Sequence, residues 1–406
     1  MITTIIDGKI YDITDFVNVH PGGREMIRLA ENRDSTYLFW SYHIDRKKAN
    51  KYLSQLHCLG SVNICEEEKY LSPSLLFTLQ NRVLEYVNNT NQKKRGGGNI
   101  TSRILFFNLT TFLLTYLVCF CGHWWLSLFL GISLASFGLC VQHSANHGSL
   151  TNNNTWNEFF GYYNDITGAS SFMWKTQHNL GHHLLPNDIV HDPDTFSNYP
   201  ITRFSEKFKI KKWHNFQFLY LPFITGFMGF SYLFFDFLHF INGYYFNVRS
   251  PKKTLKDVTL FFGFKLLHVF LYYFIPMYHF GHWWTPLLTV YIGSTYLSFQ
   301  FLISHNTSEI NKNKKNIHED WAEMQITESS TWCGKSKFVN FLTGGLNSQI
   351  EHHLFPGLSD QLYPQIQDIV IDECKKRNIV YVKYDSFYEN LSSCLSYFYN
   401  INKIKN

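Results

Sequence analysis

The stretch Gln177-His178-Asn179-Leu180-Gly181-His182-His183 decides the reading of this chain. His178 and His182 stand four apart, so on an α-helix they share a face, and His183 adds a third imidazole on its flank. Three histidines in six positions is a metal-ligand density, whereas an isolated pair is more often solvated or structural. The pattern recurs: His143-Ser144-Ala145-Asn146-His147 repeats the spacing upstream, and Gln349-Ile350-Glu351-His352-His353 lies far downstream. Together the clusters hold seven histidines, too many for one tetrahedral ion with four protein ligands, and so point to two metals. Imidazole suits zinc, copper, iron and nickel alike, which leaves the metal open. His305, closing an apolar run, is an eighth candidate, and Gln349, three residues before His352, can offer its amide oxygen to the same ion. Asp165, Asp188, Asp192, Asp194 and Glu351 are candidates to orient imidazole N–H groups, although for each taken alone a solvated surface charge is the commoner reading.

Around these clusters the composition is that of a membrane protein. Of 406 residues 18% are aromatic, concentrated in long uncharged runs. Four runs, at about 104–121, 124–141, 258–275 and 283–303, each match one bilayer at helical rise. They pair through short connections that both read Gly-His-Trp-Trp, at 122–125 and 281–284, which predicts two transmembrane hairpins with tryptophans at the interface. Lys93, Lys94, Arg95 and Arg103 precede the first hairpin, Lys252, Lys253 and Lys256 the second, and Lys312, Lys314 and Lys315 follow it. Neither connection holds Lys or Arg, so both hairpins are expected to start and finish in the cytoplasm, with His123, His279 and His282 on the far side. The run 217–235 is also long enough to span, but a crossing would separate the third cluster from the others. Interrupted by Pro222, Gly226 and Gly229, it is expected to be interfacial or re-entrant. Lys265, inside the third span, is expected to snorkel or to face the bundle interior.

Several classes are disfavoured. The formal charge of +5 sits beside the apolar runs rather than among groove aromatics, which argues against nucleic-acid binding. Of eight cysteines, Cys119, Cys121 and Cys140 lie in apolar runs and none forms a Cys-x-x-Cys pair, as expected of small hydrophobes in a reducing compartment. The opening residues lack a basic region followed by an apolar core, so no secretory signal is expected. Hydrolysis finds no Gly-x-Ser-x-Gly, and His143 to His147 lacks the glutamate of a zinc-protease helix.

The first 70 residues read as a small soluble unit: a β-type run at 3–6, a turn at Asp7-Gly8, a second run at 10–14, then His20-Pro21-Gly22-Gly23, a loop that lets a flat group approach the backbone. His43 follows a helix-like stretch through Tyr37, Leu38 and Phe39. His20 and His43 fit two axial ligands of a haem iron and fit equally well a surface turn with an unrelated histidine. Residues 66–99 are polar and end in Lys93-Lys94-Arg95-Gly96-Gly97-Gly98, which reads as a linker. Beyond 306 the chain is soluble again, with a helical pattern from 360 and a β-type run at 379–382.

The segment from Ile5 through Phe16, His20-Pro21-Gly22-Gly23 and Asp34-Ser35-Thr36 to His43 resembles the cytochrome b5 domain, departing at Asn32, commonly Gly, and Ser35, commonly Ala. To about Tyr384 the chain resembles the membrane fatty acid desaturases with an N-terminal cytochrome b5 fusion, the front-end group, whose third box carries Gln at the place of Gln349. The resemblance implies a multi-domain protein: a small α+β cytochrome b5-like haem domain at 1–70, a linker and basic juxtamembrane segment at 71–103, an all-α membrane domain of two hairpins with a cytoplasmic histidine-rich cap at 104–384, and a tail at 385–406. It implies haem b held by His20 and His43, and two irons held by His143, His147, His178, His182, His183, His305, His352 and His353 with Gln349. It further implies a cis double bond placed between an existing one and the carboxyl end of a polyunsaturated chain, with O2 and electrons from NADH through cytochrome b5 reductase. The acyl chain would arrive on coenzyme A or a phospholipid. The setting would be a multi-pass membrane protein, in the endoplasmic reticulum if eukaryotic, with haem domain and active site facing the cytoplasm. Two metals with neutral nitrogen ligands suit reductive activation of dioxygen against an unactivated C–H bond, and a tethered haem is an effective electron carrier. Ser144 stands where the first box usually has Asp. Rival readings are a sphingolipid long-chain-base desaturase, a fatty acyl hydroxylase with the same centre and, from another class, a non-catalytic membrane haem protein.

Overall fold

The computed structural model describes residues 1–62, 70–313 and 318–403. The expected end of the haem unit across 63–69, the flanking Lys314 and Lys315, and residues 404–406 of the expected tail lie outside the described residues.

The N-terminal unit is a three-stranded antiparallel sheet, Thr3–Ile6, Lys9–Asp12 and Cys58–Ser61, with helices Arg24–Ile27, Thr36–Tyr42 and Arg46–Leu53. Asp7 and Gly8 take φ of 50° and 74°, the two-residue turn that suits an Asp-Gly pair between strands in register at Ile6 and Lys9.

The reading of 71–103 as a linker is corrected. Ser74–Asn89 is a helix whose Leu75, Leu76, Leu79, Val83 and Val87 are buried along one face. They pack with Trp40 of the haem unit and with Trp321, Ile350, Leu354 and Ile366, so this element belongs to a core shared by the two units. The expected tail is corrected for the same reason. Phe387–Asn400 is an amphipathic helix whose Cys394, Tyr397 and Phe398 pack on Leu221, Leu302 and Ile303.

Among the described residues, five helices are long and apolar enough to cross a membrane: Ile100–Phe120, Trp124–Asn146, Lys212–Asn242, Leu255–Phe280 and Thr285–Lys312. Each extends beyond the run read from sequence, and the third is the 217–235 run. The domain is mostly rather than wholly helical: Tyr244–Tyr245 pairs with Val248–Arg249, and Thr331–Trp332 pairs in parallel with Lys383–Tyr384, just after the expected run at 379–382.

One crossing sets the level of the histidines. The Trp124–Asn146 and Thr285–Lys312 helices meet at Gly131 and Gly293, where a Cβ on Gly131 would lie 2.5 Å from the Thr289 carbonyl oxygen and one on Gly293 would lie 2.8 Å from the Gly131 oxygen. Only glycine permits that approach. From the crossing, His143 and His305 both lie twelve positions on, an equal helical rise of about 18 Å.

Lys212–Asn242 leans on two neighbours along its length. Leu221 packs against Leu302 and Ile303, Tyr291 Oη donates to the Phe223 carbonyl at 2.9 Å, and the Gly229 amide donates to Ser294 Oγ at 2.8 Å. Further along, Lys265 Nζ donates to the Tyr232 carbonyl at 2.8 Å and reaches Asp236 at 3.2 Å. Phe240 then stacks on Phe261 at 4.0 Å, and Lys253 Nζ caps the Ile241 carbonyl at 3.0 Å.

Candidate metal centre and haem site

Residues Lys175–His182 are wound as a π-helix, which changes how the second cluster is presented. The His183 amide donates to the His178 carbonyl, five residues back, at 2.9 Å. Residues five apart are therefore brought together, and His178 and His183 meet edge-on with their Nε2 atoms 3.0 Å apart, while the His182 ring stacks on His178 at 5.4 Å and points its Nε2 at His305. The expected α-helical winding is corrected to this wider one, frequent at functional sites, but His178 and His182 still share a face, with ligand atoms within 4.8 Å of each other and of Asp194.

The clusters converge. His143, His147, His178 and His352 bring ligand atoms within 4.8 Å of one another, as do His182, His305 and His353. His143 Nε2 lies 3.3 Å from His178 Nε2, His183 Nε2 lies 3.0 Å from His352 Nε2, and His182 Nε2 lies 3.2 Å from His305 Nε2. Two nitrogens each bound at about 2.1 Å to one ion at tetrahedral or octahedral angles sit roughly 3.0–3.4 Å apart, a range these spacings match. Gln349 Nε2 lies 2.9 Å from His305 Nε2. His147 Nε2, His353 Nε2 and Gln349 Oε1 are buried without a hydrogen-bond partner.

Most of the rings are held by their other nitrogen, whereas His183 Nδ1 is buried without a hydrogen-bond partner among the described residues. His353 Nδ1 meets Gln325 Oε1 at 2.8 Å, His305 Nδ1 the Glu328 carbonyl at 2.9 Å, His352 Nδ1 the Tyr363 hydroxyl at 3.3 Å, and His147 Nδ1 the Tyr42 hydroxyl at 2.6 Å. The oxygen acceptors on His353 and His305 favour the tautomer that leaves Nε2 as the free lone pair, and the hydroxyls on His352 and His147 can match it as acceptors. Burial and neighbouring imidazoles hold His147, His178, His183, His352 and His353 well below the ordinary histidine range, so they are neutral donors. His182 differs: burial alone would lower it, but the Asp192 carboxylate, 3.1 Å from Nδ1, raises it to about 8. The favoured proton is the one at Nδ1, and a metal at Nε2 replaces the other.

The haem site lies alongside. His20 and His43 face each other with ring centroids 6.2 Å apart, the separation of two imidazoles bound at about 2 Å on either side of one iron. His20 Nδ1 is tied to the Gly23 carbonyl at 3.2 Å and His43 Nδ1 to the Phe39 carbonyl at 2.8 Å, which turns both Nε2 atoms inward. Burial pushes the His20 imidazole down to about 4 and lowers His43. Between them opens a cavity of about 420 Å³ whose wall includes Arg95, His147 and Phe355 beside haem-unit residues.

Residues 120–385 match the Fatty acid desaturase family, and residues 2–63 match the Cytochrome b5-like Heme/Steroid binding domain. The chain belongs to the fatty acid desaturase family. It is similar to the chloroplastic acyl-lipid (7-3)-desaturase of Chlamydomonas reinhardtii, 32% identical over 96% of this chain and 78% of that protein. It is likewise similar to the acyl-lipid (8-3)-desaturase of Physcomitrium patens, 31% identical over 95% and 85%. The Delta(5) fatty acid desaturase A of Dictyostelium discoideum is 30% identical over 98% and 89%. The chain is thus a cytochrome b5-fused front-end desaturase, an oxidoreductase and an integral membrane protein; its b5 domain implies haem and its histidine cluster implies iron.

Of the carboxylates considered from sequence, the desaturase uses Asp192 on an imidazole, with Asp194 3.8 Å from His182 Nδ1. Asp165 instead accepts from Gln142 and Ser171, Asp188 from the exposed His191, and Glu351 from Tyr381 and Thr331. Among the described residues the Ser144 side chain makes no hydrogen bond to an imidazole. Sequence reasoning missed Tyr42, Gln325, Tyr363 and Glu328, which lie 11 to 105 positions from the rings they hold, Glu328 by its backbone alone; no local spacing signals them.

Proposed function

We propose that this desaturase places a cis double bond in a polyunsaturated acyl chain, on the carboxyl side of an existing one, and takes that chain esterified in a membrane lipid. The ligand set would be His143, His147, His178, His182, His183, His305, His352 and His353 with Gln349, and the haem ligands His20 and His43. The observation that carries the reading is the convergence of the three histidine clusters on inward-turned Nε2 atoms beside the paired His20 and His43. The acyl-lipid carrier rests on the names of the Chlamydomonas and Physcomitrium relatives.

When bound, the irons supply dioxygen activation and the haem supplies electrons one at a time. The chain's own residues do the rest. Trp174 stacks on His178 at 4.2 Å and packs edge-on against His143 at 5.4 Å, closing one side of the cluster to water. Asp192 and Gln325 keep His182 and His353 from rotating. A cavity of about 140 Å³ begins at His143 and Trp174 and runs between the apolar helices past Gly229, Tyr232 and His268 to Tyr272. We assign it to the reacting part of the acyl chain.

The haem domain, the juxtamembrane segment, the membrane domain and the C-terminal segment would divide near 70, 103 and 384. Two hairpins, 100–120 with 124–146 and 255–280 with 285–305, would cross the bilayer, with the haem unit and the metal centre on the cytoplasmic side, in the endoplasmic reticulum of a eukaryotic cell. Lys212–Asn242 would be re-entrant. In support, its ends pack by Leu302 and Lys253 near the cytoplasmic termini of its neighbours, and its middle packs by Ser294 and Lys265 near their centres. Electrons would come from NADH through cytochrome b5 reductase.

The test is expression in a host without polyunsaturated acids, fed a panel of them, reading double-bond positions in separated phospholipid and acyl-coenzyme A pools. New unsaturation toward the carboxyl end, first in phospholipid, is expected; no new double bond with any substrate would sink the reading.

A further inference from the structure

Tyr42 is the residue immediately before His43, and its hydroxyl lies 2.6 Å from His147 Nδ1, across 105 positions of chain. The same His147 has its Nε2 buried, unpartnered and within the His143, His178 and His352 group. Tyr42 thus touches one site through its hydroxyl and the other through a single peptide link. Its ring also lines the haem cavity. The posture is not accidental contact between loosely tethered units. Arg28 binds Asp257 at 2.7 Å, Gln80 Nε2 donates to the Trp40 carbonyl at 2.7 Å, and Trp40 sits in the core formed with Trp321 and Ile350.

Resting on the desaturase reading above, we propose that Tyr42 couples the haem site to the metal site, so that electrons pass from the His43 side through the tyrosine and its hydrogen bond to His147. Each passage oxidises one ferrous haem and reduces one ferric ion. Two passages, with the haem recharged by a nicotinamide-linked flavoprotein reductase, supply two electrons. With two protons and two hydrogens from the acyl chain, these take one O2 to two waters. With a metal on Nε2, His147 Nδ1 carries its proton and donates to the Tyr42 oxygen. That bond shortens the gap between the two sites to van der Waals and hydrogen-bond contact.

The experiment uses the full chain carrying haem and iron, as wild type, Tyr42→Phe and Tyr42→Leu. Stopped-flow reoxidation of reduced haem is followed with O2 and acyl lipid present, and a second arm pre-reduces both sites with dithionite and reads the single product burst on adding O2, which needs no transfer between sites. Expected for Tyr42→Phe is haem reoxidation slowed by about tenfold or more, the scale of losing a bond to a ligating imidazole. The haem spectrum and haem midpoint potential should be unchanged, and haem reoxidation should slow by far more than iron content or the pre-reduced burst falls, with kcat lowered and KM unaltered. Unchanged reoxidation in both variants overturns the proposal in favour of direct passage across the cavity, and a burst or iron content that falls in parallel overturns it in favour of a purely structural hold on His147. Absence of any burst from the wild type would instead sink the desaturase reading.

Discussion

Arg28 of the haem unit donates from Nη2 to Asp257 Oδ2 at 2.7 Å, with both side chains buried, although 229 positions separate them. Asp257 also accepts from the Thr254 amide and hydroxyl, each at 2.7 Å, and so caps the Leu255–His268 helix while it holds the haem unit. One carboxylate therefore ties the electron-carrying unit to the start of a membrane helix.

Removing the cation should cost much of that anchorage. Arg28→Ala leaves Asp257 buried with Thr254 and Tyr162 as its remaining donors, and stripping one partner from a buried pair costs about 3–5 kcal/mol. The expected result is a clear drop in thermal midpoint together with slower haem-fed turnover. A midpoint indistinguishable from wild type would show that the pair contributes nothing to docking.

The two metal sites should separate cleanly under mutation. His352→Ala is expected to abolish product and lower bound iron while leaving the haem spectrum intact, because His20 and His43 lie in a different unit. Gln325→Ala, which frees the His353 ring, should weaken iron retention or rate 10–100-fold without touching haem. Metal analysis and the haem absorption band, read on one preparation, check both.

These rings were legible from the sequence because ligand type and short spacing are local properties: His143, His147, His178, His182, His183, His352 and His353 stand out without any fold. His305 was legible only through its place at the end of an apolar run. The outer contacts were not. Tyr42 lies 105 positions from His147 and Gln325 lies 28 from His353, distances over which only tertiary packing decides who meets. The π-winding of Lys175–His182 was hidden for a different reason. A periodicity argument presupposes 3.6 residues per turn, and one inserted residue brings His183 Nε2 to His178 Nε2 while His182 still stacks on His178. The apolar stripe of Ser74–Asn89 was in plain sight but lay within a polar segment read as a linker.

Helix crossing offers a remote test of the metal geometry. Gly131→Leu would drive a side chain into the Thr289 carbonyl, 2.5 Å from where its Cβ must sit. Backbone cannot yield as a flexible side chain can, so the two helices must part and carry His143 and His305 away from their partners. Iron bound per chain should fall substantially while haem per chain stays at wild-type level. Full iron occupancy in this variant would mean that the crossing does not set the level of the ligands.

Acid should loosen the haem unit through Glu25. Burial alone would raise this carboxyl, but Lys175 at 3.9 Å and Arg28 at 3.2 Å hold it below the ordinary glutamate value of 4.5. A carboxylate lowered in the folded state stabilises it fully above about 4.5 and loses that contribution as the pH falls through the lowered value. The thermal midpoint of the wild type should therefore fall more steeply below pH 4.5 than that of Glu25→Gln, whose neutral amide has no proton to gain; above pH 5 the wild type should be the more stable by a constant margin. Parallel acid limbs in the two proteins would show that Glu25 carries none of the linkage.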